Sequence, residues 1–268
     1  MGYEFGASKA INGVVWGVVS DNKHPEGKYM VKCKLPWIKS KEDGDDEDFL
    51  TTWCRVISPM AGGGRGFYVL PEVGDEVVLS FVHGNINVPV VLGAVWNDTD
   101  HSPHGDKSPK ASTDPLGNDL GIADAAKDNK AAGGKNNARF FISRSGSTML
   151  FDDTSGKEKI AFFTAKGSMF NINDEKDTIV LYDHSKEVYL ALDAKKKKIT
   201  LETKNGDIEI FCKKGTLDIQ AKFIKTKAEK DQTHEAASGK WLQKSGKTMD
   251  FEAGGDLTEK APKIHLNP

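Results

Sequence analysis

The sequence predicts an all-β protein, in which a small closed barrel is followed by an intertwined, prism-like stack of short strands shared between several chains. Three observations lead to this fold class. Residues 1–97 contain short clusters of β-branched and aromatic residues between turn formers, and no long stretch has helical periodicity. Apolar clusters in residues 139–268 recur every 9 to 11 residues. No proline occurs in residues 116–261, as expected for continuous strand ladders whose residues must donate hydrogen bonds.

The composition excludes several classes of protein. The mean hydropathy of the 268 residues is −0.48, and the sequence predicts neither a membrane helix nor a signal peptide. We therefore expect assembly in the cytoplasm. The net charge of −2 argues against a dedicated nucleic-acid-binding protein. Three cysteines without a CxxC spacing predict neither a disulfide framework nor a zinc site, and we expect no cofactor. Cys33 and Cys54 fall on strand candidates and are expected to be buried free thiols.

The first 97 residues predict an OB-like barrel, because five short antiparallel strands can close on themselves and leave no exposed sheet edge. The strand candidates are residues 13–20, 28–35, 50–57, 75–82 and 88–96. Residues 41–48 carry six acidic residues and are interpreted as a solvated loop, with a partner-facing acidic patch as the alternative. The glycine-rich residues 61–66 could cradle a phosphate. They lack the Lys-Ser/Thr pair of a P-loop, so a tight loop that packs against neighbouring subunits is favoured.

Residues 98–138 predict a polar linker between the two structured parts. They are rich in Asp, Asn, Gly, Pro and Ala, and such a segment cannot bury enough surface to offset its ordering entropy. Within it, Asp98, Asp100, His101 and His104 are ligand types for zinc or calcium. A loosely attached loop does not pre-organise ligands, so a hydrated linker is the favoured interpretation.

Residues 139–268 predict the strand stack, because apolar residues alternate within each cluster and turn formers or charges separate the clusters. Strands with one apolar face cannot enclose a core in a one-chain solenoid of about nine residues per turn. A prism in which each chain contributes one strand per layer is favoured. A plain antiparallel meander would give similar spacing and stays open. The predicted shared core consists of Ile179, Leu181, Leu190, Leu192, Ile199, Leu201, Ile208, Ile210, Leu217 and Ile219.

Several blocks of residues resemble a known family. Residues 66–78 read GFYVLPEVGDEVV and are followed by FVHGN at 81–85 and PVVLG at 89–93. This series is similar to the OB domain of VgrG-type spikes and of phage baseplate assembly protein V. The block ISRSGS to FDDTSGKEKI, at residues 142–160, resembles the segment where the β-helix of such spikes begins. The closing KIHLNP at 263–268 resembles their blunt ends.

The resemblance implies a homotrimer without catalytic activity. In that family, three OB domains form a collar and three C-terminal segments wind into a triangular β-helix that punctures a target membrane. Such a spike lies at the tip of a contractile tail tube, in a phage, a tailocin, an extracellular injection particle or a type VI-like secretion system. The assembled particle would act outside the cell or deliver the spike into a target cell.

Departures from the family pattern define the expected partners. Only about 12 residues precede the first strand candidate, so the resemblance implies a separate hub protein, facing residues 69–82 and the neighbouring loops. The iron-binding His-x-His tip of some phage spikes is absent, and no metal is expected there. Three copies of a short terminal platform would instead dock a separate PAAR-type cap. The residues of this platform are Ile264, His265, Leu266 and Asn267.

Two other functions stay open. An OB barrel could bind glycan or single-stranded nucleic acid through aromatic side chains such as Trp37 and Trp53. Residues 1–138 carry 14 basic and 19 acidic residues, a charge of −5 that disfavours nucleic acid. A trimeric polysaccharide-degrading tailspike enzyme would also contain an intertwined prism and would need paired carboxylates in a groove. The adjacent Asp152 and Asp153 are better explained as part of the spike block.

Overall fold

A computed structural model describes residues 10–42, 45–103, 113–120 and 134–264 of the chain, and for residues 40–42 and 45–47 we consider only the backbone. The protein divides into two units, Met1–Ile208 and Glu209–Pro268. The described residues form strands and loops with a single short 3-10 turn at Val82–Gly84, which confirms the predicted all-β class. None of them belongs to a helix with the length and apolarity that a membrane crossing requires.

The N-terminal strands form a closed barrel, which confirms the OB-like prediction. The strands are β1 Val14–Asp21, β2 Met30–Glu42, β3 Asp45–Leu50, β4 Cys54–Val56, β5 Ala61–Gly62, β6 Arg65–Gly66, β7 Glu76–Phe81 and β8 Pro89–Ala94. The main sheet has the order β1-β7-β8-β4-β2-β3, and an additional pairing of β1 with β2 closes it. Alternate residues point inward because a strand has a side-chain period of two. In β7, these are the buried Val77, Leu79 and Phe81.

The described residues of the acidic segment, 41–42 and 45–48, are not a loop, contrary to the sequence prediction. Their backbone belongs to β2 and β3, which pair Lys41 with Asp46 and Glu42 with Asp45. A shift of register between Leu35 and Lys39 lets β2 continue beyond the barrel alongside β3. The composition suggested a loop, but hydrogen bonds between backbones do not depend on the apolar content of the strands.

The expected strand at residues 50–57 is also split, because Thr51 forms hydrogen bonds that tie the turn between β3 and β4 to β2. The backbone N–H of Thr51 donates to the carbonyl of Cys33 at 2.9 Å, and its hydroxyl accepts the N–H of Cys33 at 3.0 Å.

Cys33 and Cys54 are buried and free, as predicted. A hydrogen bond to Cys54, together with burial, raises the pKa of Cys33, so this thiol stays neutral and unreactive.

The strands after residue 137 form a second, seven-stranded sheet. They are β9 Ala138–Ile142, β10 Thr148–Asp152, β11 Lys159–Phe163, β12 Met169–Asn173, β13 Thr178–Tyr182, β14 Val188–Asp193 and β15 Lys198–Thr203. Five of the predicted apolar clusters start at or one residue after the start of a strand, which confirms the strand periodicity. The strands pair only with their sequence neighbours and are antiparallel throughout. This part of the chain is therefore a meander, the alternative left open above, and not a stack with one strand per layer.

The two faces of this sheet differ in composition. The face that we call the apolar face carries Met149, Phe151, Ile160, Phe162, Phe170, Ile172, Ile179, Leu181, Leu190, Leu192, Ile199 and Leu201. The opposite face, here the covered face, mixes aliphatic, aromatic, small and polar residues, most of which are buried. They include Leu150, Ala161, Phe163, Met169, Asn171, Val180, Tyr182, Tyr189 and Ala191. The polar row Asp152, Lys159, Asn173 and Thr178 runs along its edge.

Residues 113–120, which we call the strap, lie on the covered face. Leu120 is buried in the core of this sheet, and the ammonium group of Lys159 donates to the Leu120 carbonyl at 2.8 Å. The carboxylate of Asp114 accepts two backbone N–H groups of the strap at 2.9 Å and so fixes its turn. We expected the whole of residues 98–138 to be loosely attached. The strap instead packs on the sheet and covers one of its two faces.

Tyr182 makes the covered face sensitive to high pH. Burial and the nearby Asp114 carboxylate raise the pKa of Tyr182 to about 12. Because the folded state disfavours the phenolate, this group's contribution to stability is complete below the unfolded pKa of about 10 and is lost as the pH rises towards about 12. We expect the free energy of unfolding to fall more steeply between these pH values in the wild type than in Tyr182→Phe, as measured by denaturant unfolding at each pH. Equal slopes for the two proteins would contradict the assignment.

The second unit contains no strand in its described part, residues 209–264. All of its described residues are exposed, including many large apolar ones. The largest of these are Ile210, Phe211, Leu217, Ile219, Phe223, Ile224, Trp241, Leu242, Met249, Phe251 and Leu257. The predicted clusters that begin at Ile208 and Leu217 therefore form no strand pair within the described chain. A segment this apolar normally buries such side chains against another molecule.

Candidate functional site: apolar surfaces for assembly

The apolar face consists of two continuous rows of side chains across the sheet. Six cross-strand neighbours run from Phe151 to Ile199, and six more run from Met149 to Leu201. Hydrogen bonds between the strands satisfy the polar groups of the backbone. The side chains of this surface can therefore contribute hydrophobic burial against another apolar surface. The side chain of Ile199 is 72% exposed and that of Leu201 is 55% exposed. Monomeric soluble proteins rarely leave so continuous an apolar surface uncovered.

The structure brings six of the ten predicted core residues together on this face. These are Ile179, Leu181, Leu190, Leu192, Ile199 and Leu201. The remaining four follow the last strand, are exposed and do not lie on this face; they are Ile208, Ile210, Leu217 and Ile219. Sequence reasoning missed Met149, Phe151, Ile160, Phe162, Phe170 and Ile172, which occupy the same face in β10, β11 and β12. Their alternation has the same period of two and could have identified them.

Two further groups of exposed apolar side chains lie on the barrel. The wall patch consists of Val14, Trp16 and Trp37. The arm patch consists of Ile57, Met60, Phe67 and Tyr68, around the small hairpin of β5 and β6. This hairpin is the glycine-rich segment of the sequence analysis.

Gly66 explains the glycine content of the arm without a phosphate ligand. Its φ is 148°, and a Cβ at this position would lie 2.3 Å from the Met60 carbonyl oxygen. Only glycine permits this close approach of the two backbones. The backbone N–H of Phe67 donates to the same carbonyl at 3.0 Å, which closes the base of the arm.

The aromatic residues proposed for glycan or nucleic-acid binding are engaged in contacts within the barrel. The Trp53 ring lies 4.7 Å from the His24 ring, and the Lys32 ammonium lies 5.1 Å from the Trp53 ring centroid. The Trp37 indole N–H donates to the Trp16 carbonyl at 2.9 Å. Trp53 is therefore half-buried and already in contact with His24 and Lys32.

The metal candidates are not gathered into a site within the described residues, where no three His, Cys, Asp or Glu side chains lie close enough to hold an ion. The side-chain oxygen of Asn97 accepts hydrogen bonds from the backbone N–H groups of Thr99 and Asp100, which shapes a turn next to Asp98. Asp100 and His101 line a cavity of about 740 Å³ between the barrel and the end of β9. His104 lies outside the described residues.

The predicted cap-docking platform is described only in part. Ile264 is exposed, as a docking residue must be. His265, Leu266 and Asn267 lie outside the described residues, so cap docking stays a prediction.

The barrel matches a known domain family. The family described as the type VI secretion system/phage-baseplate injector OB domain matches residues 15–96, which are the strands of the closed barrel. Residues 15–96 are thus similar to the injector OB domain. The resemblance stated from the sequence is thereby confirmed for the barrel, on a match that covers less than half of the chain.

Several curated proteins are similar to about a third of this chain, and they include spike proteins and a toxin. The type VI secretion system spike protein VgrG2a of Pseudomonas aeruginosa is 29% identical over 90 residues, which are 34% of this chain and 10% of VgrG2a. The spike protein VgrG4b of the same organism is 32% identical over 91 residues, 34% of this chain and 11% of VgrG4b. The actin cross-linking toxin VgrG1 of Vibrio cholerae is 29% identical over 87 residues, 30% of this chain and 8% of the toxin. The chain thus spans only about a tenth of the length of these relatives.

Proposed function

We propose that this chain is the subunit of a homotrimeric central spike that punctures a target membrane at the tip of a contractile injection apparatus. The observation that carries the proposal is the apolar face of the second sheet, attached to an injector OB domain. The relatives named as spike proteins support the same function for the OB domain.

Three copies of the sheet can bury their apolar faces against one another. Each sheet would form one wall of a triangular prism, with its apolar face inward and its covered face, already packed under the strap, outward. The two rows of side chains would then meet around the threefold axis as a dry core. Burial of apolar surface contributes about 25 cal/mol per Å², so a face of twelve large side chains is a strong driving force for association.

The second unit supports an arrangement in which the rest of the spike is built jointly by the three chains. Its described residues alternate exposed apolar and polar side chains, for example at Ile210, Leu217 and Ile219, and none of these lies in a strand of the described chain. We infer that strands of this segment pair between chains, whereas residues 138–203 pair within each chain. The spike would then have one part that pairs within each chain and one part that is intertwined between chains.

The proposed partners follow the same arrangement. A separate hub protein would bind the barrel end that includes residues 69–82, and a PAAR-type cap would cover the platform that begins at Ile264. Contact with the target membrane would be transient, since the mechanical function needs no resident membrane segment. Assembly in the cytoplasm would precede incorporation into an injection particle.

The proposed function includes no catalysis. Asp152 faces Lys159 at 3.5 Å, and Asp153 pairs with Arg139, so both carboxylates of the adjacent pair are engaged in ion pairs. This disfavours the tailspike enzyme, which needs two carboxylates free to act on a sugar. The match covers only 8% of the length of the toxin named among the relatives. It therefore gives no reason to assign the activity of the toxin to this chain.

The mass of the purified full-length protein in solution tests the proposal. We expect a species of three times 29.3 kDa that resists dissociation in SDS at room temperature and separates on boiling. The reason is that the intertwined part cannot separate without unfolding. A monodisperse species of 29.3 kDa at micromolar concentration would contradict the proposed function.

A further inference from the structure

Three polar side chains on the covered face are buried without all of their hydrogen bonds. Asn171, Asn173 and Thr178 are 0%, 1% and 5% exposed. Neither the amide nitrogen nor the amide oxygen of Asn171 has a hydrogen-bond partner in the protein, and the amide nitrogen of Asn173 and the hydroxyl of Thr178 have none either. A buried polar group without a hydrogen bond is destabilising, and nearly all such groups in folded proteins are paired. Four of them together indicate a bound molecule.

The three side chains are neighbours on the sheet. Asn171 and Asn173 are alternate residues of β12 and therefore point to the same face. Thr178 of β13 lies directly opposite Asn173, which places their Cβ atoms about 5 Å apart. One water molecule bridges polar atoms about 5–6 Å apart, because each of its hydrogen bonds spans about 2.8 Å. The unpaired atoms are thus spaced for a ligand of this size.

The chemistry of the unpaired atoms favours water over an ion. They comprise two amide NH₂ groups that donate, one amide oxygen that accepts, and one hydroxyl that does either. A cation would satisfy only the oxygens, and an anion would satisfy only the donors. The neighbouring charges already compensate each other, since the Lys159 ammonium lies 3.5 Å from the Asp152 carboxylate in the polar row. The matching ligand is a small neutral molecule that both donates and accepts.

The surroundings of Asn171 are closed to solvent. Ala161 lies directly opposite Asn171 in β11, and Val180 lies opposite it in β13; both are fully buried. Ala161 contributes only a methyl group beside the longer Asn171 side chain. Leu120 of the strap belongs to the same buried core as these two residues. Buried waters typically make about three hydrogen bonds to polar groups that the protein leaves unpaired.

We propose that the covered face binds ordered water between the sheet and the strap, held by the side chains of Asn171, Asn173 and Thr178. The strap then closes a hydrated layer, and a covering segment with few large apolar residues suits such a layer. The apolar face of the same sheet offers a dry surface instead. This inference is independent of the proposed trimer, because every residue that it uses lies within one chain.

Nuclear magnetic resonance of the full-length protein tests the hydration site. The chain is deuterated and labelled with ¹⁵N only in asparagine, and ¹⁵N-resolved NOESY and ROESY spectra are recorded in ¹H₂O. We expect direct cross-peaks to water, of opposite sign in the two spectra, at the side-chain amides of Asn171 and Asn173. Hydrogen exchange with the solvent gives the same sign in both spectra. The exposed Asn205 amide, which donates to Glu187 at 3.3 Å, is the control and should lack peaks of opposite sign.

Thr178→Val tests whether the water joins the two strands. Valine keeps the shape of threonine and removes only the hydroxyl, which lies on a different strand from both amides. The water cross-peak of Asn173 should weaken or disappear in this variant. Thr200→Val removes a half-buried hydroxyl from the same face in β15 and should leave both water cross-peaks unchanged. Absence of the water cross-peaks in the wild type would overturn the proposal, and so would cross-peaks that keep their full intensity in Thr178→Val.

Discussion

Leu201→Asp is expected to abolish the trimer. Leu201 ends one of the two apolar rows, and in the proposed prism three aspartates would meet near one axis. A buried charge without a partner costs several kcal/mol, and here each trimer would contain three of them. We expect the variant to elute as a monomer or as aggregate in size-exclusion chromatography with light scattering, and to lose SDS resistance.

Thr200→Asp is the matched control for this experiment. Thr200 precedes Leu201 in β15 and points to the opposite, covered face, where it is half-buried next to solvent. The same charge placed on this side of the same strand should leave the trimer intact. A soluble, SDS-resistant trimer of Leu201→Asp would show that the apolar face does not point to the interior of the assembly.

Lys159→Met is expected to destabilise the second sheet by about 3–5 kcal/mol, the usual cost of breaking a buried ion pair from one side. The Lys159 and Asp152 side chains are only 5% and 3% exposed, and their charged groups lie 3.5 Å apart. Methionine would fill a similar volume but leave the Asp152 carboxylate buried without its cation. It would also remove the donor that holds the Leu120 carbonyl of the strap. Denaturant unfolding of the full-length protein, followed by far-ultraviolet circular dichroism, measures the effect.

Lys196→Met serves as the control for the ion pair. Lys196 pairs with Asp193 at 3.1 Å, but its side chain is 70% exposed. Exposed ion pairs contribute about 0–1 kcal/mol, so this variant should unfold close to the wild type. If Lys159→Met lowers the free energy of unfolding no more than Lys196→Met does, the contact of Lys159 with Asp152 and the strap does not stabilise the covered face.

The sequence predicted the strands of the barrel and of the second sheet to different extents. Alternation of apolar residues identified four of the five barrel strands and the repeat of the second sheet, because a half-buried strand has a period of two whatever its partner. The strand pairing of residues 41–42 with residues 45–46 was missed because this charged stretch of the sequence has no apolar alternation. The split at Thr51 was missed because it depends on hydrogen bonds to Cys33, which lies 18 residues away.

The pairing of the second sheet could have been read more closely from the sequence. Its connections from β10 to β15 are four to six residues long. Parallel neighbours need a crossover of a dozen or more residues, whereas antiparallel neighbours need only a short turn. This argument favours the meander for residues 138–203, although the apolar spacing alone does not distinguish it from a shared stack.

The sequence by itself determined the all-β class, the strand spacing and six of the twelve residues of the apolar face, because each of these depends on local alternation and on the exclusion of proline. Only the tertiary structure decided which face is covered. The strap has few apolar residues and reads as a linker, yet Leu120 becomes buried because Asp114 shapes its turn and Lys159 binds its carbonyl. The hydrogen bond between Lys159 and Leu120 joins residues 39 positions apart, and no local pattern encodes it. The uncovered face that remains is the surface on which the proposed assembly depends.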